Sequence, residues 1–228
     1  MNVEENFVSI SGLICEPRRA KMLWNLLDGR AYTATELAVT ADISPTSASN
    51  HLAKLLEANI VKVEIQGRHR YYSFTNEEVA YVVESLANLA DKRSVNKART
   101  ENVLSGVKYC RTCYDHLAGF VAVKFVDALE ERGFSSKVEK TYEISEDGWD
   151  WFAQLEIFPH TFTNKRRPIT RQCLDWSERR PHLAGQLGAV FLEKTLQERW
   201  FTKVQFSREL ELTAKGHQKF QEFLGITL

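Results

Sequence analysis

The chain carries no net charge: 30 Lys and Arg face 30 Asp and Glu in 228 residues, and the pI is about 7.0. A molecule without net charge is not drawn to a polyanion by its global field, so nucleic-acid binding would have to come from a local patch. Also missing is any apolar run approaching the ~20 residues that cross a bilayer. The opening MNVEENFVSI is acidic and lacks the basic-then-apolar order of a signal peptide, so the cytoplasm is the expected compartment, with no membrane partner. Cysteine is scarce. Four residues, Cys15, Cys110, Cys113 and Cys173, point to reduced thiols rather than a disulfide scaffold. No glycine-rich phosphate loop and no nucleophile elbow is present, which argues against an enzyme. What remains, 43% hydrophobic and 26% charged, is an ordinary globular composition, long enough for two modest cores.

The most patterned stretch runs from Thr33 to Phe74. Thr33 and Glu36 have the spacing of a capping box, Leu37 and Ala38 face inward, and Ala41-Asp42-Ile43 reads as a short turn. Ser44 then caps a second helix with Pro45 at its first position, where the missing N–H costs nothing. Ala48, Leu52, Leu55 and Leu56 recur at helical spacing and form its apolar face. Thr46, Ser47, Ser49, Asn50, His51 and Lys54 are small or polar and point elsewhere. Two alternating runs follow, Ile60–Ile65 and Arg68–Phe74, joined through Gln66-Gly67 as a hairpin. Helix, turn, helix and hairpin in this order make a winged helix-turn-helix. A helix with a short polar face fits a major groove, and the cationic tip Arg68-His69-Arg70 reaches neighbouring phosphates. The local charge is weakly positive, Lys54, Lys62, Arg68 and Arg70 against Glu57 and Glu64.

ELA…DISPTSASNHLAKLLEANIVKVEIQGRHRYYSF resembles the DNA-binding module of the arsenic-repressor (ArsR) family of dimeric bacterial regulators. GLICEPRRAKMLWNLLDG resembles that family's opening helix, with Glu16-Pro17-Arg18-Arg19 at the family's usual D-P-x-R start. The likeness covers roughly the first hundred residues. It implies a transcription regulator, here expected to act as a repressor on double-stranded DNA whose operator is an imperfect inverted repeat. Where metal sensors of that family place cysteines, this chain has Glu36-Leu37-Ala38-Val39-Thr40-Ala41-Asp42, and its later helix lacks the histidines that other members use.

Upstream, Pro17 starts a helix with Ala20, Leu23, Trp24 and Leu27 at helical spacing, ending at Asp28-Gly29. Beyond the wing, a helix from Thr75-Asn76-Glu77-Glu78 carries Val79, Val82, Val83, Leu86 and Leu89. The family resemblance implies that these two helices pair across a two-fold. A lone winged helix also has little core to cover Val82, Leu86 and Leu89, which favours a homodimer. Alternatively the stripe docks on the C-terminal half. Lys92 to Thr100 reads as a linker or frayed helix end.

The second half holds a diverged repeat. Cys113-Tyr114-Asp115-His116-Leu117-Ala118-Gly119 is echoed by Cys173-Leu174-Asp175, an insertion Trp176 to Pro181, and His182-Leu183-Ala184-Gly185. Both continue into an apolar helix, a short strand and a Gly-containing helix start, so each unit is expected as helix, strand, helix. The expected class is α+β, mainly α. The expected domains are a DNA-binding and dimerisation domain over 1–95 and a sensor domain over 96–228, with repeats at about 110–158 and 170–228.

Three readings of the repeated residues stand. Cys110-x-x-Cys113-x-x-His116, completed by Cys173 and His182, has ligand spacing for zinc or another transition metal. Alternatively, a small-molecule effector pocket lies between the repeats, built from Cys113, Tyr114, Asp115, His116, Cys173, Asp175, Trp176, Arg179, Arg180 and His182. Trp149, Trp151 and Phe152 would add walls to it. In the third reading the set is structural: the aspartates cap helices and the cysteines pack as small hydrophobes. Thiol redox sensing by Cys110 and Cys113 is a further alternative, and a Cys/His/Asp catalytic set would have to be assembled across the repeats.

Overall fold

The computed structural model describes residues 2–91, 105–164 and 166–228, and the linker read at Lys92 to Thr100 lies outside them. The chain divides into two compact units, Met1–Ala87 and Asn88–Leu228.

In the first unit, α1 (Val3–Cys15) is a helix beyond those expected, opened by a capping box between Asn2 and Glu5. Phe7 and Val8 stand exposed on it, so it has no buried stripe to announce it in the sequence. α2 (Pro17–Leu26) starts at Pro17, with the Glu16 carboxylate accepting the N–H groups of Arg18 and Arg19. Buried Arg19 donates to the carbonyls of Gly12 and Leu13 at the end of α1, which joins the two helices. Met22, Leu23 and Leu26 face the core, whereas Trp24, expected among the apolar positions, is 41% exposed.

The helix-turn-helix forms as its caps dictate. α3 (Ala34–Ala41) begins with the Thr33–Glu36 capping box and stops at Asp42, which takes the left-handed conformation. α4 (Pro45–Glu57) is capped by Ser44, whose hydroxyl accepts the Ser47 N–H, and it buries Ala48, Leu52 and Leu55. The wing is β2 (Val61–Gln66) against β3 (His69–Phe74), in register from Val61 opposite Phe74 to Gln66 opposite His69. Gly67 supplies the positive φ of the tight turn. β1 (Tyr32–Thr33) adds a third strand on the free edge of β3, giving the order β1-β3-β2. α5 (Glu77–Asp91) follows.

The second unit corrects the expected repeat. Its first half is a hairpin of β4 (Arg111–Cys113) and β5 (His116–Ala118), then α6 (Phe120–Glu131). A second hairpin of β6 (Ser135–Val138) and β7 (Thr141–Ile144) leads to α7 (Glu146–Ala153). The second half repeats this order with β8 (Arg171–Leu174), β9 (Pro181–Ala184), α8 (Gly185–Gln197), β10 (Phe201–Lys203), β11 (Leu210–Leu212) and α9 (Ala214–Leu224). Each half is therefore hairpin, helix, hairpin, helix, not helix, strand, helix. The Cys…Asp…His segments lie on hairpins, because Gly119, just before α6, and Gly185, the first residue of α8, turn the chain at φ +87° and +86°. A Cβ at these positions would meet the carbonyls of Lys108 at 2.9 Å and Ile169 at 2.7 Å.

The halves pack reciprocally: β5 lies on α8, β9 lies on α6, and β5 and β9 touch. Phe125 of α6 and Phe191 of α8, equivalent positions in the repeat, stack with ring centroids 4.2 Å apart. Phe152, Trp151, Trp200 and Phe220 complete the aromatic core around this pair.

Candidate functional site

In the first unit, Thr46, Ser49, Asn50 and Lys54 are exposed on α4, and Ser47 is half-buried. Arg68, His69 and Arg70 are exposed at the wing tip. A cleft of about 370 Å³ runs between the two elements, lined among others by Ser49, Ala53, Arg68, His69 and Arg70. His51 departs from the expectation. Its Nδ1 lies 3.3 Å from Arg19 Nη1 and 3.5 Å from Glu16 Oε2, so the ring is turned toward the start of α2 and away from the exposed face.

The second unit brings together two cysteines and two histidines. Cys113 and His116 are direct cross-strand partners at the end of the β4–β5 hairpin, and Cys173 and His182 are partners on β8–β9. Side chains of such a pair project from one face of a hairpin. Because β5 and β9 touch, the two faces meet: the two Sγ atoms are 3.9 Å apart and the two imidazole centroids 5.1 Å apart. One donor atom from each of the four lies within 4.8 Å of the others, and all four residues are buried.

A carboxylate backs each ring. Asp115 Oδ1 is 3.2 Å from His116 Nδ1, and Asp175 Oδ2 is 3.4 Å from His182 Nδ1. Arg167 grips Asp115 with two hydrogen bonds, of 2.7 and 3.1 Å, and also donates to the Gly185 carbonyl. Asp175 is fully buried and accepts from Arg111 Nη2, the Gly119 N–H, and both the hydroxyl and N–H of Ser177. Neither aspartate caps its own helix. Asp175 instead reaches the start of α6 in the other half.

Burial opposes ionisation of Asp115, but hydrogen bonds from His116 and Arg167 outweigh it and hold the carboxyl down to about 2. Asp175 is held well below the usual carboxylate range despite burial, through His182 and Arg111. Burial likewise opposes charge on the rings. Asp175 and the Cys113 sulfur nevertheless raise His182 to about 9, and Cys113 and Asp115 raise His116.

The remaining nominated residues go elsewhere. Cys110 sits in the apolar core, where burial pushes its thiol up, and it is not one of the four converging donors. Trp151 and Phe152 are core residues and Trp149 packs beside them, so they do not wall a pocket between the repeats. Trp176 is buried under the Arg111 guanidinium, 4.5 Å from its ring centroid. Tyr114 and Arg179 take left-handed turn conformations, and Arg180 pairs outward with Asp127. Sequence reasoning missed Arg111 and Arg167. Arg111 opens β4 and Arg167 lies between the two repeats, and only the folded chain shows which aspartate each one meets.

A family model described as a helix-turn-helix domain matches residues 16–64. The chain is 40% identical over 223 residues to the uncharacterized HTH-type transcriptional regulator YdfF of Bacillus subtilis (strain 168), covering 98% of this chain and 99% of that one. The chain belongs to the HTH-type transcriptional regulators. This is what its resemblance to the arsenic-repressor family implies, and it makes the protein a DNA-binding regulator rather than an enzyme. The HTH-type transcriptional regulator KmtR of Mycobacterium tuberculosis is 33% identical over 76 residues, 33% of this chain and 58% of the relative. Among solved structures, the homodimeric winged helix-turn-helix DNA-binding domain (fragment 1–100) of a possible ArsR-family regulator from Mycobacterium bovis aligns with a TM-score of 0.38. That match has 20% identity over 43% of this chain and 91% of that one. Among the described residues, no helix of this regulator is long and apolar enough to cross a membrane.

Proposed function

We propose that this regulator is an arsenic-repressor-type repressor, acting in the cytoplasm as a homodimer on an imperfect inverted repeat, with its C-terminal unit responding to an effector. The observation that carries the DNA-reading part is the exposed polar face of α4 beside an Arg68-His69-Arg70 wing. Thr46, Ser49, Asn50 and Lys54 meet base edges and nearby phosphates in the major groove, while the wing arginines hold the flanking backbone. His51 acts from behind, fixing the start of α2 against α4 through Arg19 and Glu16. The homodimer is supported by apolar side chains left uncovered on α5, with Val82 52%, Leu86 37% and Leu89 60% exposed. An effector regulates only by binding the DNA-competent and incompetent states unequally.

Duplexes selected by the full chain from a random pool should share a two-fold-related pair of half-sites. On such a duplex, Arg68→Ala with Arg70→Ala should weaken binding across sequences and lower the slope of log affinity against log salt by about 2. Wild-type affinity and slope in that variant would overturn the wing assignment.

A further inference from the structure

We infer that Cys113, His116, Cys173 and His182 form a closed tetrahedral site for one thiophilic divalent cation of the zinc class, which clamps the two halves of the C-terminal unit together. The inference is independent of the DNA-reading proposal. Four properties of the cluster point to it.

The first is distance. With metal–sulfur bonds of about 2.3 Å, two thiolates on a tetrahedral ion stand about 3.8 Å apart. Here the two Sγ atoms are 3.9 Å apart, and all four donor atoms fall within 4.8 Å of one another. With metal–nitrogen bonds of about 2.0–2.1 Å the other donor pairs on such an ion stand about 3.4–3.6 Å apart, so the widest pair here closes by about 1 Å when the ion is seated.

The second is orientation. Metal-bound histidines usually present their other ring nitrogen to a carboxylate, which fixes ring and tautomer. Asp115 faces Nδ1 of His116 and Asp175 faces Nδ1 of His182, leaving both Nε2 atoms for the ion. Arg167 and Arg111 hold those carboxylates in turn.

The third is the state of the donors. Nε2 of both rings is fully buried and has no hydrogen-bond partner, and neither has Nδ1 of His182, which lies at ion-pair distance from Asp175. Such atoms are costly to bury unless something coordinates them. The structural reading of the cluster leaves them unexplained.

The fourth is chemistry. Two thiolates and two imidazoles suit zinc and its soft neighbours, whereas calcium and magnesium demand oxygen. Four protein ligands in a buried setting complete the coordination sphere, so the ion holds structure and activates no water. Each hairpin contributes one Cys and one His, so neither half completes the site alone.

Full-length protein purified without chelator should carry about one zinc per chain by elemental analysis. Replacing the ion with Co²⁺ should give the intense ligand-field bands of a tetrahedral ion together with thiolate-to-metal charge transfer. Cys113→Ser with Cys173→Ser should abolish both signals, while Cys110→Ser, altering the thiol outside the cluster, should keep them. Competition with a chromophoric chelator should show zinc binding about 10–100-fold weaker in Asp115→Asn, with the Co²⁺ spectrum still tetrahedral. Should the double variant not fold, the wild-type Co²⁺ spectrum decides by itself. Wild-type protein that stays metal-free after refolding with zinc under reducing conditions, or a six-coordinate Co²⁺ spectrum, would overturn the site. So would metal content that follows Cys110 rather than the Cys113–Cys173 pair.

Discussion

Gly148 and Gly216 occupy the same place in the two halves, on the first turns of α7 and α9. A Cβ added at Gly148 would lie 2.1 Å from the Phe134 carbonyl oxygen, and one at Gly216 would lie 2.2 Å from that of Trp200. Both helices therefore sit on backbone with no room for a methyl group. Gly148→Ala and Gly216→Ala should each destabilise the C-terminal unit by about 1–3 kcal/mol, read as a lower midpoint in chemical or thermal unfolding. Gly12 is a contrasting control: nothing lies within 4 Å of its added Cβ. At the same scale, the sequence marked Cys113, Asp115, His116 and their echoes as a set by repetition alone. It could not separate Cys110 from them, because a thiol three residues from Cys113 along the chain is a plausible ligand until the strand direction is known. Cys110 instead enters the apolar core.

At the scale of elements, α4 is set by local chemistry. Ser44 satisfies the otherwise orphaned Ser47 N–H, and Pro45 fixes the first helical φ. Ser44→Ala should cost about 1 kcal/mol of stability in the N-terminal unit and weaken operator binding with it, measured by unfolding and by anisotropy on the selected duplex. The wing was equally legible, since alternating residues on both sides of a glycine turn describe a hairpin. The short hairpins of the second unit were not. β4 and β5 have three residues each, too few for an alternation to stand out, and the apolar helices that follow drew the reading of a helix start upstream. β1 escaped notice for the same reason: two residues become a strand only because β3 offers an edge.

At the scale of the molecule, the unresolved need is cover for apolar surface. Val82, Leu86 and Leu89 on α5 remain exposed among the described residues, as do Val3, Phe7 and Val8 on α1. Exposed apolar side chains at helical spacing on α5 support the proposed homodimer, in which pairing across a two-fold would cover them. Val82→Glu with Leu86→Glu should shift the regulator to a monomer in sedimentation experiments and abolish cooperative occupancy of paired half-sites. A dimer that persists in that variant, with wild-type binding, would place the two-fold elsewhere.

The sequence by itself determined the reading unit: its caps, its turn, its alternating wing and its basic tip are all signals carried within a few neighbouring residues. It also carried the echo of Cys113-Tyr114-Asp115-His116 in Cys173, Asp175 and His182. What only the tertiary structure decided is how the copies meet. Two hairpins distant along the chain turn their Cys/His faces toward each other, because α6 and α8 each pack on the other half's strands around the Phe125–Phe191 stack. Caps and turns act between neighbours and leave a local trace. The meeting of two faces depends on burying distant apolar surface, and no short stretch of sequence records which surface that is.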